Sequence, residues 1–150
     1  MAGIDYVFSN EASLFRTNVL INSNVLTACV RNKITNYIYV GTACSFPKSL
    51  QMVETGVVTL HESQTYPAEP ESSYGWSKLM GEYEAELAHR SGKINVGLLR
   101  LHNVYGPGTP YIERAQALPA LCRKAIRGEP YQVYGSGLQY RDFLYIDDVM

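Results

Sequence analysis

Two short apolar runs, Asn36-Tyr37-Ile38-Tyr39-Val40-Gly41 and Ile94 to Leu101, constrain the fold of this chain more than any other feature. Neither alternates cleanly between apolar and polar residues, so each reads as a strand buried on both faces. Between them lies a loop with Pro67 and Pro70, then a helical stretch from Ser72 or Ser73 to about Arg90. A serine there can cap the free N–H groups of a helix start, and Ser91-Gly92 suits its stop. A helix from about Glu11 to Arg31 precedes the first run, its apolar positions including Leu14, Val19, Leu20, Leu26 and Val30. Asn18, Asn22 and Asn24 interrupt that stripe. The second run is closed by the turn Tyr105-Gly106-Pro107-Gly108, and a helix is expected from about Arg114 to Arg127, before Gly128-Glu129-Pro130. Short strands are expected at Tyr131–Tyr134 and Arg141–Ile146, and Asp147-Asp148 would cap a further helix. The order helix, strand, helix, strand, helix predicts an α/β fold with parallel strands.

A chain of 150 residues can bury one core and is short for two ordinary domains. Apolar residues at 46% and charged residues at 18% fit a folded rather than a disordered chain. A net charge of −1 offers no basic surface for nucleic acid or an anionic membrane. No stretch approaches the roughly 20 apolar residues of a membrane span, and Met1-Ala2-Gly3-Ile4-Asp5 lacks the regions of a signal peptide. Cys29, Cys44 and Cys122 are odd in number and far apart, so neither a disulfide framework nor a metal site follows. The expected compartment is the reducing cytoplasm.

Chemistry concentrates in Ser72-Ser73-Tyr74-Gly75-Trp76-Ser77-Lys78. A four-residue offset puts Tyr74 and Lys78 on one helix face, where an ammonium beside a phenol favours the phenolate. Tyrosine ionises near pH ~10, so such a neighbour is what would let it accept a proton at neutral pH. Taken alone, the pair is also what a tyrosine-rich chain supplies by chance: a core tyrosine and a solvated lysine. Thr42-Ala43-Cys44 follows the first strand, and open α/β sheets bind ligands outside the carboxyl ends of their strands. Further along come Asn103-Val104-Tyr105-Gly106-Pro107, the segment Cys122-Arg123-Lys124-Ala125, and Gly135-Ser136-Gly137-Leu138-Gln139-Tyr140-Arg141-Asp142. Guanidinium and ammonium groups suit a diphosphate, and an asparagine amide suits sugar or phosphate oxygens.

These segments, in the order in which the chain carries them, resemble the extended short-chain dehydrogenase/reductase superfamily, the NAD-dependent epimerases and dehydratases of nucleotide sugars. Thr42-Ala43-Cys44-Ser45-Phe46-Pro47, Tyr66-Pro67-Ala68-Glu69-Pro70 and Cys122-Arg123-Lys124-Ala125 look most like the GDP-mannose 3,5-epimerases, with GDP-fucose synthases next. The resemblance implies a Rossmann-type doubly wound parallel sheet of which the chain carries the C-terminal half, residues 1–106, and the start of a small substrate-binding domain, 107–150. No Gly-x-x-Gly-x-x-Gly phosphate loop occurs, and Gly135-x-Gly137 comes too late to serve, so an internal piece of a larger protein is expected.

What the resemblance implies for the site follows. Tyr74, Lys78, Thr42 and Cys44 would be catalytic, and Tyr74, Lys78 and Thr42 would also hold NAD, with NADP as the alternative. Ala43, Asn103, Gln116, Ala117, Lys124, Gln139 and Arg141 would contact the nucleotide-diphosphate sugar. The helices near 11–31 and 73–90 would form a homodimer interface. One position departs: both groups carry a lysine or histidine proton donor where this chain has Gln116, which has no useful protonation equilibrium. A third, little-characterised group of epimerase/dehydratase proteins with Glu-Arg-Ser-Gln-Val-Ile-Pro is similar at this loop. Cys44 carries two readings, a small buried apolar residue or an acid–base thiol. The expected activity is a nucleotide-sugar epimerase, with a C4 epimerase, dehydratase or reductase as the alternative. A chain inactive by itself is the third possibility.

Overall fold

The computed structural model describes residues 4–51, 57–108, 116–133, 136–138 and 140–150. Helix α1 (Ile4–Ser9) leads into α2 (Glu11–Arg31), followed by β1 (Asn36–Thr42), a 3-10 turn (Ala43–Ser45), the single turn α3 (Lys48–Gln51) and a second 3-10 turn (Glu62–Thr65). Then come α4 (Ser73–Arg90), β2 (Asn95–Leu101), β3 (Asn103–Tyr105), α5 (Ala117–Arg127), β4 (Phe143–Tyr145) and α6 (Ile146–Val149). The fold is α/β with parallel strands, as the order of elements predicts. β1 and β2 pair in parallel from Asn36↔Asn95 to Thr42↔Leu101. α4 is the crossover between them.

Local chemistry fixes the ends of α4. Ser72 is extended (φ −131, ψ 158) and its hydroxyl accepts the Gly75 N–H at 3.2 Å, satisfying one of the free donors of the first turn. At the other end Gly92 takes φ 70, the left-handed conformation that a glycine adopts without strain, and its N–H donates to the His89 carbonyl at 2.9 Å. α5 stops in the same way at Gly128 (φ 65).

The core lies between the β1–β2 sheet and the α2–α4 pair. Leu26 from α2, Tyr39 from β1, Ala85 from α4 and Ile94 before β2 are buried together, with Cys29, Tyr37, Val96 and Leu98 packed around them. Polar bonds cross the same seam. Asn18 donates to the Ser77 hydroxyl at 3.1 Å, Asn22 to the Ser77 carbonyl at 3.2 Å, and Ser23 to the Glu84 carboxylate at 2.8 Å. The asparagines that interrupt the apolar stripe of α2 are thus interface residues facing α4.

Several expectations need correction. Among the described residues the strands are covered on one face, because both long helices pack on the side of Tyr37, Tyr39 and Leu98; on the other, Ile38 is 64% and Val40 48% exposed. Residues 131–133 form no strand, since aromatic and β-branched composition does not suffice without a pairing partner. The strand expected over 141–146 contracts to β4, and a short β3 precedes the turn expected at Tyr105-Gly106-Pro107-Gly108, sharing Tyr105 with it. β3 and β4 pair in parallel, Asn103↔Phe143 to Tyr105↔Tyr145, as a second small sheet. The start expected near Arg114 falls outside the described residues, and α1 had no sequence signal.

Candidate active site

Thr42 ends β1 in an extended conformation (φ −154, ψ 150), and its Oγ1 accepts the Cys44 N–H at 3.2 Å. That bond caps the 3-10 turn carrying Ala43, Cys44 and Ser45. The first turn of α4 lies directly on this turn, and Gly75 is why it can. A Cβ there would overlap the Cys44 carbonyl oxygen and come within 2.9 Å of the Pro70 Cβ. Close backbone approach thus delivers Tyr74 to Thr42, whose side chain hydrogen-bonds the phenol, with the Cys44 thiol near enough to act on it electrostatically.

Lys78 lies one turn along α4, half-buried, with its Nζ 4.6 Å from the centre of the Tyr39 ring. Tyr39 in turn donates its hydroxyl to the Lys78 carbonyl at 3.0 Å. The ammonium donates to no side-chain or backbone acceptor among the described residues. Among the described residues its N–H groups are thus left as donors.

Electrostatics modify the simple picture of the pair. Burial pushes the Tyr74 phenol above its ordinary value of 10.0; the Thr42 hydrogen bond opposes this and the Cys44 thiol adds to it. Burial likewise pulls the Lys78 ammonium down from 10.5, against the attraction of Glu82. The expected depression of Tyr74 by Lys78 is thus not what this arrangement gives. Desolvation penalises both charged forms, and the ammonium rests over Tyr39.

The remaining expected residues are less tightly organised. Ala43 opens the 3-10 turn and Cys44 is half-buried beside Thr42. Asn103 begins β3 and donates to the Asp142 carbonyl at 3.0 Å, tying β3 to the segment before β4. Gln116 is the extended N-cap of α5 (φ −66, ψ 168) without a side-chain cap bond, Ala117 is the first residue of α5, and Lys124 lies in its last turn. Arg141 is exposed and donates to the Tyr140 carbonyl at 2.8 Å. No hydrogen bond or ion pair joins Gln116, Lys124 or Arg141 to the Thr42–Tyr74 group among the described residues. Gln139 lies outside the described residues.

One group escaped the sequence reading. Glu82, 2% exposed, accepts from the Ser45 hydroxyl at 3.2 Å and from Arg100 Nε and Nη2 at 2.8 Å each. Arg100 also sits 5.2 Å from the centre of the Phe46 ring. The signal was an arginine inside an otherwise apolar strand, which demands a buried partner. No group of three His, Cys, Asp or Glu is placed to hold a metal among the described residues.

Parallel strands joined by a helical crossover, with Thr42 and Tyr74 at their carboxyl edge, make this a Rossmann-type α/β protein. The chain belongs to the NAD dependent epimerase/dehydratase family, whose sequence profile matches residues 1–150. It is 36% identical over 150 residues to GDP-mannose 3,5-epimerase of Arabidopsis thaliana, covering 99% of this chain and 40% of that protein. Among solved structures it is similar to UDP-N-acetylglucosamine 4-epimerase from Methanobrevibacter ruminantium M1 in complex with UDP-N-acetylmuramic acid. There the TM-score is 0.78 and the identity 25%, over 99% of this chain and 47% of that one. UDP-glucuronic acid 4-epimerase from Bacillus cereus, in complex with UDP-glucuronic acid and NAD, gives a TM-score of 0.67 at 27% identity, over 88% of this chain and 38% of that one. The chain thus spans about 40% of the length of the curated relative it matches.

Proposed function

We propose that these residues supply the acid–base half of the active site of an NAD-dependent nucleotide-sugar epimerase acting on a GDP-hexose. The observation that carries the reading is the hydrogen bond between Thr42 and Tyr74 at the carboxyl end of β1, with the Lys78 ammonium, which has no acceptor among the described residues, one turn away. Tyr74 takes the proton of the sugar C4 hydroxyl and later returns it, and Thr42 holds the reacting oxygen. Lys78 binds the ribose of the cofactor. When bound, NAD supplies a reversible hydride acceptor and a cationic ring that favours the Tyr74 phenolate. A 4-ketone acidifies the protons at C3 and C5, and Cys44 is within reach of the same edge to move one of them. Asn103, Lys124, Gln139 and Arg141 hold the nucleotide diphosphate, while Ala43, Gln116 and Ala117 line the sugar. We place the domain boundary at 106/107 and the protein in the cytoplasm, where Cys29, Cys44 and Cys122, none of them in a disulfide, stay reduced. The assembly is a homodimer through α2 and α4, whose outer faces leave Ile21, Val25, Trp76, Met80, Tyr83 and Leu87 exposed.

The test is solvent exchange in an enzyme carrying these 150 residues. Incubated in deuterium oxide with a GDP-hexose, it incorporates deuterium at C3 or C5, and Tyr74→Phe abolishes the exchange. Gln116 favours a second reading, chemistry confined to C4, because it removes one proton donor expected of a two-centre epimerisation. Turnover without exchange, unchanged in Cys44→Ser, would establish that alternative.

A further inference from the structure

Among the buried groups that the proposed chemistry leaves unused, Glu82 stands out: it is the largest side chain buried almost completely. On α4 it lies one turn beyond Lys78 and two beyond Tyr74, so the three share a helix face. Its two oxygens reach different elements. Oε1 takes the Ser45 hydroxyl from the turn after β1, and Oε2 takes both Nε and Nη2 of Arg100 from β2. Gly41 makes room, since a Cβ on it would meet Glu82 Oε1 at 2.5 Å and the Leu99 carbonyl at 3.0 Å. A carboxylate held from two strands by a forked guanidinium and a hydroxyl has little freedom to turn.

We propose that Glu82 is a positioning residue, one that clamps the catalytic face of α4 to the carboxyl ends of β1 and β2 and holds the Lys78 ammonium with its negative charge. The inference rests on the reading of Tyr74 and Lys78 as the working pair. Two features separate this role from simple packing. An apolar side chain of equal size would fill the same volume at less desolvation cost, and the buried charge needs Arg100 to be tolerated at all. In addition, Glu82 acts on Lys78 from within the described residues, offsetting the burial that disfavours its charge. The groups facing this cluster are Tyr39 from β1, Arg100 from β2, Tyr66 from the loop before α4, and Tyr74 on α4 itself.

The test is the titration of Lys78, followed by NMR of 13Cε-labelled lysine in the 150-residue chain, with the resonance assigned by its loss in Lys78→Arg. Glu82→Gln lowers the Lys78 midpoint by roughly one pH unit, because an opposite charge nearby is removed. Arg100→Met moves it the other way, since Glu82 then acts on Lys78 without a competing cation. The double variant Glu82→Gln/Arg100→Met removes both charges and leaves no unpaired buried ion; its midpoint falls below that of Arg100→Met, a comparison that decides the matter should Glu82→Gln alone fail to fold. A Lys78 midpoint that loss of Glu82 leaves unmoved, against the natural chain or against Arg100→Met, overturns the proposal. So do shifts of the same sign in Glu82→Gln and Arg100→Met, which mean loosened packing. These titrations read the clamp without turnover, so their failure is distinct from failure of the epimerase reading. The latter is refuted by undiminished exchange in Tyr74→Phe.

Discussion

Gly75→Ala opposes two effects of known sign, and the geometry decides between them. Within a helix the substitution is worth about 1 kcal/mol of stabilisation, since alanine has less backbone entropy to lose. Against this, the new Cβ falls on the Cys44 carbonyl oxygen, 3.1 Å from the Cys44 carbonyl carbon and 2.9 Å from the Pro70 Cβ. Two of these atoms are backbone and the third belongs to a ring, so no side-chain rotation relieves the contact. Overpacking of this kind costs typically 1–3 kcal/mol, and immovable neighbours put the cost here near the upper end, about 3 kcal/mol. The net expectation is destabilisation by about 2 kcal/mol, which for a chain of this size lowers Tm by roughly 4–8 °C. Gly97→Ala is the control, because its added Cβ meets only Ile38 Cγ1 at 3.8 Å and should be neutral or mildly stabilising. Urea and thermal unfolding followed by circular dichroism measure both variants. A Gly75→Ala chain as stable as the natural one, or more so, would falsify the claim that α4 is pressed against the turn after β1. In that event the delivery of Tyr74 to Thr42 by this contact fails with it.

Three further outcomes are expected. Burial raises the phenols of Tyr39 and Tyr74 above 10.0. The unfolded chain therefore releases those protons first, and stability falls as pH rises past about 10, by up to about 1.4 kcal/mol per pH unit for each such tyrosine. Urea midpoints between pH 9 and 11 should show the fall, and a Tyr39→Phe chain with an equally steep one would contradict it. Because residues 1–150 contain no Gly-x-x-Gly-x-x-Gly loop to cradle a pyrophosphate, this chain alone should bind no measurable NAD in equilibrium dialysis. A micromolar dissociation constant would refute that. Met80→Glu puts a charge into the exposed apolar face of α4 and should turn a dimer into a monomer by analytical ultracentrifugation; an unchanged sedimentation coefficient would locate the interface elsewhere.

The parts of the fold readable from sequence are those governed by local rules. Ser72 and Gly92 announce the ends of α4 through hydrogen bonding and backbone sterics that need no distant partner. The same holds for the β1 and β2 runs, whose apolar length marks them as strands. What stayed hidden depends on which elements meet. Asn18 and Asn22 look like flaws in an amphipathic helix until α4 supplies the Ser77 hydroxyl and carbonyl opposite them. Ile38 and Val40 look buried because apolar composition cannot say whether one or both faces of a sheet are covered. β3 and β4 are three residues each, too short for periodicity, and exist because they find one another across about forty residues.

The candidate site divides along the same line. Tyr74 and Lys78 are visible because a four-residue offset is a local fact, whereas their electrostatics are not. Whether a lysine depresses a phenol depends on what surrounds both groups, and here burial acts on each before either acts on the other. The Tyr39 ring occupies the place beside the ammonium that the sequence alone would assign to Tyr74. In the proposed chemistry, a phenol that burial keeps protonated at neutral pH starts as a proton donor. Its conversion to a base must then come from charge brought to it at the moment of binding. That requirement makes the buried carboxylate behind Lys78 more than a structural detail. In that proposal a charged ammonium contributes to the conversion, and Glu82 is the neighbour whose charge opposes the burial that disfavours it.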